Sequence, residues 1–294
     1  MNQVNTKKME KRMHARIQKN NLLKIVFLLA TLFGLAVLAI LLVRVITQGA
    51  AWLDWDFITG RLSTSADRAG IMGAILGTVW LMIVVIPVTL IIGVGSAIYL
   101  ELYAKKGRIQ SFIQTNISNL AGVPSIVYGL LGLTIFSRAM GLGNAVLAGG
   151  LTLSLLVLPI LIVSSQEAIR AVPKYLAEAS YGMGATKWQT IKNVILPASI
   201  PSILTGAILS LSRAIGETAP LTVLGIPAFL LPFPEGVFDT FTALPMQIYY
   251  WTLDSSLVKE YAYLAAATII VLLVLLFILN SVAIFIRNKF QQRY

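Results

Sequence analysis

The 294-residue chain has no cysteine and a single histidine, and only 12% of its residues are charged. Without cysteine there are no disulfide staples, thiolate metal sites or cysteine nucleophiles. The one histidine, His14, lies among lysines and arginines near the start of the chain. A metal site built on several histidines is therefore excluded, and His14 reads as a solvated tail residue. Serine–histidine chemistry would need His14 carried to a distant nucleophile in triad geometry, which sets that reading aside.

The scarcity of charge excludes more. Ordinary globular chains are about a quarter charged and about half apolar, whereas here 57% is apolar and the mean hydropathy is +0.82. That balance points to lipid as the solvent and excludes disorder, collagen and coiled coil. Acids are also few, 12 against 23 lysines and arginines. A nucleic-acid partner would want a basic face with base-stacking aromatics on a soluble fold; here the basic excess follows loops between apolar runs, so nucleic acid is excluded as a partner.

What is present is a series of long apolar windows. A spanning helix needs about 20 mostly apolar residues, and windows at 22–46, 71–100, 114–137, 145–165, 199–231 and 262–286 meet that length. The expectation is an all-α membrane protein, a six-helix bundle forming one transmembrane domain over 22–286. A basic tail, 1–21, precedes it and a short tail, 287–294, follows. The first window is too long for a signal peptide core and lacks a clean small-residue cleavage site before Trp52, so it reads as a retained helix.

Orientation follows the lysines and arginines of the short loops. One side carries Lys7, Lys8, Lys11, Arg12, Arg16, Lys19 and Lys24, then Lys105, Lys106 and Arg108, then Arg170, Lys174, Lys187 and Lys192, then Arg287, Lys289 and Arg293. The other carries Arg44, Arg61, Arg68, Arg138 and Lys259 against Asp54, Asp56, Asp67, Glu235, Asp239, Asp254 and Glu260. The basic side, with both termini, is expected to face the cytoplasm. Gly73 and Gly77 have the spacing that lets two helices approach closely. Pro87, Pro124 and Pro220 fall inside windows, where a missing N–H frees a carbonyl and kinks the helix.

The longest loop on the basic side, 166–198, is patterned. Pro173 suits a helix start, Gly182 or Gly184 suits a left-handed stop, and a second helix from Thr186 puts Trp188, Ile191 and Ile195 on one face until Pro197 ends it. A basic amphipathic helix pair fits either lipid headgroups or a groove on a cytoplasmic partner. Within it, Glu178-Ala179-Ser180, three residues, Gly184, nine residues and Val-Ile-Leu-Pro at 194–197 resemble the EAA motif of ABC-importer permeases, with Ser180 for the second alanine and Val194 for isoleucine.

The resemblance runs through most of the chain. NLAGVPSIVYGL (119–130), LTLSLLVLPILIVSSQEAIRAVP (151–173), SRAIGETAPL (212–221) and FTALPMQIY (241–249) are similar to permease subunits of phosphate-importing ABC transporters, the PstA type in particular. Leu102 stands where that family more often has an acid, and Ile91 where it has proline. The resemblance implies a type I ABC-importer permease fold in a bacterial cytoplasmic (inner) membrane. It implies a second homologous, PstC-like permease that completes the path, and cytoplasmic ATP-binding subunits. An extracytoplasmic phosphate-binding protein would deliver inorganic phosphate, since the short outer loops cannot capture dilute solute. The chain itself would be non-catalytic and hold no cofactor, ATP and magnesium being bound by the partner ATPase. Glu178, Ala179, Gly184, Leu196 and Pro197 would couple to that ATPase. The alternative for Glu178 is a solvated acid, and for Gly184 an ordinary helix cap.

Arg213 and Glu217 lie four residues apart in the fifth window, hence on one helix face. At ~1.5 Å per residue from Ser199, Arg213 lies about 21 Å along the helix, inside a hydrocarbon core about 30 Å thick. Each charge costs about 2.5–3.5 kcal/mol at a helix centre facing lipid, so both are expected to face protein or a wet path, with Ser210, Ser212 and Thr218 as polar neighbours. An arginine fork suits a tetrahedral oxyanion. Glu217 then either holds Arg213 when substrate is absent or accepts a hydrogen bond from a protonated phosphate oxygen. The resemblance places Arg213, Gly216, Glu217 and Thr218 in the transport path; a purely structural ion pair is the competing reading.

No hydrolytic site accompanies the pair. GMGATKW at 182–188 lacks phosphate-loop spacing, and GVG at 93–95 lacks the third small residue of a dinucleotide fingerprint. Two outer segments, WLDWDFI at 52–58 and 232–261 with Pro232, Pro234, Pro245 and the aromatics Tyr249, Tyr250 and Trp251, suit either an interfacial belt or a docking rim. The rival functions are a permease for another oxyanion, such as molybdate or sulfate, and a gradient-driven secondary transporter. The latter would favour inverted repeats, and none is evident.

Overall fold

A computed structural model describes residues 6–227 and 232–289. Residues 1–5 and 290–294 of the two tails, and 228–231 at the end of the expected fifth window, lie outside the described residues, as do the side chains of 6–11 and 15. The helices are α1 (Thr6–Gly49), α2 (Trp55–Thr59), α3 (Met72–Tyr103), α4 (Arg108–Leu120), α5 (Ser125–Ala139), α6 (Val146–Arg170), α7 (Lys174–Gly182), α8 (Lys187–Ile215), α9 (Ala219–Leu224), α10 (Leu244–Asp254) and α11 (Glu260–Lys289). Apart from one isolated antiparallel bridge, Ala145 with Thr240, the described residues contain no strand. Five helices are long and apolar enough to cross a membrane, and six if the bent pair α4–α5 counts as one span.

α6 is the central post, packed between α3 and α8 with α5 alongside. It is the most enclosed of the long helices, with Leu153, Leu156, Val157 and Leu161 buried, and small residues let its neighbours close in: a Cβ at Gly149 would meet Phe241 and Leu81, and one at Gly150 would meet Val84. α1 lies at the periphery against α11, and its apolar side chains stay exposed. That is the behaviour of a helix whose solvent is lipid rather than protein.

Two expected spans are broken. The window 114–137 is two helices meeting at 102°, with the bend at Gly122-Val123-Pro124. Proline at 124 has no N–H to continue the first helix and biases Val123 away from helical geometry. The window 199–231 does not hold as one helix either. α8 starts earlier, at Lys187, and stops at Ile215; α9 resumes at Ala219. Pro220 denies the Gly216 carbonyl its i+4 donor, and glycine there adds no helix propensity.

The segment 237–246, at the end of the bundle opposite the α7–α8 hairpin, is folded into the bundle. It caps α6, because the otherwise orphaned N–H groups of Val146 and Leu147 donate to the carbonyls of Asp239 (3.0 Å) and Val237 (2.8 Å). Phe241 is fully buried. Gly77 makes room: a Cβ there would sit on the Thr242 carbonyl oxygen, and a Cβ at Gly73 would touch the Phe233 ring at 3.5 Å. The paired glycines of α3 thus receive a loop, not a second helix as their spacing suggests. Next to them Thr78 donates to the Ala74 carbonyl (2.8 Å) and accepts from the Leu244 N–H (2.9 Å), fastening α10 to α3.

Candidate functional site

The arginine–glutamate pair sits at the break between α8 and α9. Arg213 occupies the last turn of α8, Gly216 follows it, and Glu217 and Thr218 form the link to α9. Nε of Arg213 donates to Glu217 Oε1 at 3.1 Å. The Glu217 side chain is 17% exposed and that of Arg213 is 56% exposed. The pair therefore has a sheltered carboxylate and an open guanidinium with donors to spare.

Depth follows from neighbouring helices. Gly206 of α8 packs against Ser164 of α6, six residues before the end of α6 at Arg170. Arg213 is seven residues beyond Gly206 on the antiparallel helix, so it stands roughly 20 Å above that end at ~1.5 Å per residue. α6 is 25 residues long, or about 37 Å. The pair thus lies well within the bundle. Beneath it Ser202, Thr205 and Leu209 continue from Arg213 as one exposed stripe along α8.

The expected polar neighbours behave differently. Ser210 donates to its own helix at Gly206, and the single hydroxyl proton of Ser212 is shared between the Ile208 carbonyl and Asn280 Oδ1, each 2.7 Å away. Thr218 contributes its carbonyl to the Thr222 hydroxyl at 3.0 Å. The structure therefore brings Arg213 and Glu217 together and turns Ser210 and Ser212 away. Ser210 and Ser212 have side chains short enough to bond back into their own helix, so their helical neighbourhood does not aim them at the pair.

At the basic end, α7 and the start of α8 form the patterned hairpin. Gly184 has φ +83°, the left-handed turn between them, while Gly182 stays within α7. Thr186 and Gln189 close a reciprocal capping box that starts α8. Ser180 is hydrogen-bonded to Thr190 at 2.9 Å. The serine that replaces the motif's second alanine thus ties the two arms of the hairpin together.

Pro197 does not end the second helix, as the sequence suggested. α8 runs from the hairpin through Leu196 and Pro197 into the bundle, with a wide five-residue turn at Ile191–Ile195 just before the proline. A wider turn absorbs the missing donor without breaking the helix. The second arm of the hairpin and the spanning part of α8 are therefore one continuous helix. Glu178, Ala179 and Gly184 are exposed at the tip, and Leu196 and Pro197 are half-buried at its root. Ile191 and Ile195 are buried with Ala168 and Ile169 of α6, whereas Trp188 is 60% exposed and leaves their face. Tyr175, Met183 and Trp188 give the tip an exposed apolar surface beside Glu178.

Three contacts here escape a reading by sequence. Arg170 grips Glu101 through Nε (2.9 Å) and a second nitrogen (2.8 Å), and Glu167 at 2.9 Å. Gln114 and Gln166 exchange both amide hydrogen bonds, at 3.0 and 2.9 Å, with Gln166 buried. Asn280 accepts from Ser212 at 2.7 Å in the middle of an apolar helix. Lone amides within apolar runs, Gln166 and Asn280, were the available signal.

A multi-span helical membrane protein with a bent hairpin at its basic end and a charge pair at a helix break is the architecture of a transport permease. The chain matches the family of binding-protein-dependent transport system inner membrane components over residues 90–291 and belongs to it. It is 38% identical over 205 residues to "Probable ABC transporter permease protein YqgI" of Bacillus subtilis, covering 67% of this chain and 70% of that one. It is 33% identical to the phosphate transport system permease protein PstA of Mycobacterium leprae, covering 79% and 77%. Against PstA of Xylella fastidiosa the identity is 29%, covering 89% and 90%. Among solved structures, a chain of the bacterial alginate ABC transporter in complex with a pentasaccharide-bound periplasmic protein superposes with TM-score 0.65 at 16% identity, covering 92% and 96%. An inward-facing MetNI methionine ABC transporter chain gives 0.59 at 15%, covering 76% and 96%. These likenesses establish the type I importer permease fold.

Proposed function

We propose that this chain is the permease subunit of an ATP-driven importer of inorganic phosphate in a bacterial cytoplasmic (inner) membrane, with both termini and the α7–α8 hairpin in the cytoplasm. The similarity to PstA permeases over most of both chains carries this reading. The domain runs from about 22 to 286 between the two tails. A second homologous permease covers the exposed stripe of α8 and encloses Arg213, Glu217 and Thr218 in the path. Cytoplasmic ATP-binding subunits hold ATP and magnesium and engage Glu178, Ala179 and Gly184. Leu196 and Pro197 transmit their motion. A phosphate-binding protein docks on the outer loops.

Continuity of α8 supports the coupling. From Lys187, two residues past the turn at Gly184, α8 is unbroken as far as Arg213, so closure of the ATPase pair on the hairpin reaches the charge pair as rotation or translation of that helix. At the pair, an open guanidinium offers charge-assisted hydrogen bonds to an oxyanion, and Glu217 holds that guanidinium or accepts from a protonated phosphate oxygen. No bond of the substrate is made or broken by this chain.

The test is phosphate uptake by proteoliposomes containing the chain with its partner permease, ATPase and binding protein, with sulfate and molybdate as competitors. Uptake that requires ATP and every subunit, and is blocked by neither competitor, is the expected result. Uptake by this chain alone under an ion gradient would overturn it.

A further inference from the structure

The bend at Gly122-Val123-Pro124 leaves α4 lying across the bundle, and its faces are sorted in an unusual way. Gln110, Gln114 and Ile117, spaced i, i+4 and i+7, are the half-buried positions. Two of these inward positions are polar and bonded: Gln110 donates to the Leu100 carbonyl (3.2 Å), and Gln114 pairs with Gln166. A second face, Ser111, Thr115, Ser118 and Asn119, is exposed and polar. The third face is exposed and mostly apolar, with Ile109 at 78%, Phe112 at 70%, and Ile113 and Leu120 beside them; the one polar residue on it, Asn116, turns its amide back onto the Phe112 carbonyl at 2.8 Å.

Placement and charge decide what covers that third face. Leu100 is near the end of α3 and Gln166 one turn before the end of α6, so α4 lies at the level where the spanning helices stop on the basic side. The loop leading into it carries Lys105 and Lys106, and Arg108 is its first residue, all exposed and in no ion pair among the described residues. A helix of about 20 Å with segregated apolar and polar faces and adjoining cations fits the boundary between headgroups and acyl chains. The cations match anionic headgroups, and such matching is worth a factor of about five per residue near a charged leaflet.

We propose that α4 is an in-plane membrane anchor, in which Ile109, Phe112, Ile113 and Leu120 enter the acyl boundary while Lys105, Lys106 and Arg108 bind phosphates of anionic phospholipids. Through the Gln114–Gln166 pair it fixes α6, and hence the root of the hairpin, at a set depth in the leaflet.

The absence of cysteine makes the test direct. Phe112→Cys and Thr115→Cys are each spin-labelled in the full transporter. The complexes are placed in nanodiscs of phosphatidylcholine, with and without phosphatidylglycerol. The label at 112 is expected to collide preferentially with oxygen and the label at 115 with an aqueous nickel chelate. Phosphatidylglycerol should shift the label at 112 deeper. Replacing Lys105, Lys106 and Arg108 by glutamine should abolish that shift, lowering the local preference for the anionic lipid roughly a hundredfold. Ile109→Cys repeats the measurement should Phe112→Cys fold poorly. Equal nickel accessibility at 112 and 115 would overturn the anchor. Shielding of 112 from both reagents would overturn it too, by showing that protein covers the face.

Discussion

Replacing Thr78 by valine removes one hydroxyl and keeps the shape of the side chain. In the wild-type bundle that hydroxyl accepts from the Leu244 N–H at 2.9 Å and donates to the Ala74 carbonyl at 2.8 Å, and both Thr78 and Leu244 are buried. The Ala74 carbonyl keeps its helical partner, so little is lost there. The Leu244 N–H, in the first turn of α10, has no helical acceptor and becomes an unsatisfied buried donor, which costs about 1–3 kcal/mol. At roughly 2–4 °C per kcal/mol for a chain of this order of size, the melting temperature should fall by about 2–12 °C. Thr78→Ser keeps the acceptor and should recover most of the loss. The assay is thermal unfolding of the purified chain in one detergent, with proteolysis of 232–243 as a local probe. Faster cleavage of that segment should accompany the lower melting temperature in Thr78→Val. A valine variant that melts with the wild type, or a serine variant as weak as valine, would refute the role given to this hydrogen bond.

Gly184→Ala should lower stability by about 1–2 kcal/mol, because φ +83° is left-handed, whereas Gly182→Ala, inside α7 with open space around it, should be neutral or stabilising by up to about 1 kcal/mol; paired thermal melts check both. Gln166→Leu should cost about 1–3 kcal/mol by leaving Gln114 unpaired, and Gln114→Leu in addition should restore part of that loss, which a double-mutant cycle on thermal stability would reveal. Arg170→Lys should weaken the link between α3 and α6 because lysine cannot grip Glu101 through two nitrogens; thermal melts of Arg170→Lys, Glu101→Gln and the double variant should show that the two losses are not additive.

Much of this architecture is legible in the sequence because apolar length is a strong signal. α1, α3, α6 and α11 coincide in the main with apolar windows, since nothing but a helix satisfies the backbone in lipid. The two windows that fail do so at particular residues. Hydropathy averages across Pro124 and Pro220 and joins what those prolines separate. The window 114–137 also starts inside a helix that begins at Arg108, whose half-buried positions Gln110 and Gln114 bond inward; side chains of that polarity carry no hydropathy signal for a helix. Pro197 errs in the opposite direction: a proline that ends most helices is absorbed here by the wide turn at Ile191–Ile195.

The charge pair shows the same division. The spacing of Arg213 and Glu217 predicts their contact, and the structure places them at 3.1 Å. It does not predict that the helix ends between them. Nor does it predict that Ser210 and Ser212 bond elsewhere, because helical back-bonding and the partner Asn280 depend on local geometry and on a helix 68 residues away.

Under the proposed function, α8, continuous from Lys187 to Ile215, joins the hairpin that meets the ATPase to the charge pair that meets the substrate. The most direct measurement is transport and ATP hydrolysis side by side in proteoliposomes carrying the complete transporter, comparing wild type, Glu217→Gln and Glu178→Ala. The account predicts that Glu217→Gln loses phosphate uptake while the ATPase remains bound, and that Glu178→Ala loses uptake together with ATPase association. Uptake unchanged in Glu217→Gln, or ATPase association unchanged in Glu178→Ala with uptake intact, would contradict it.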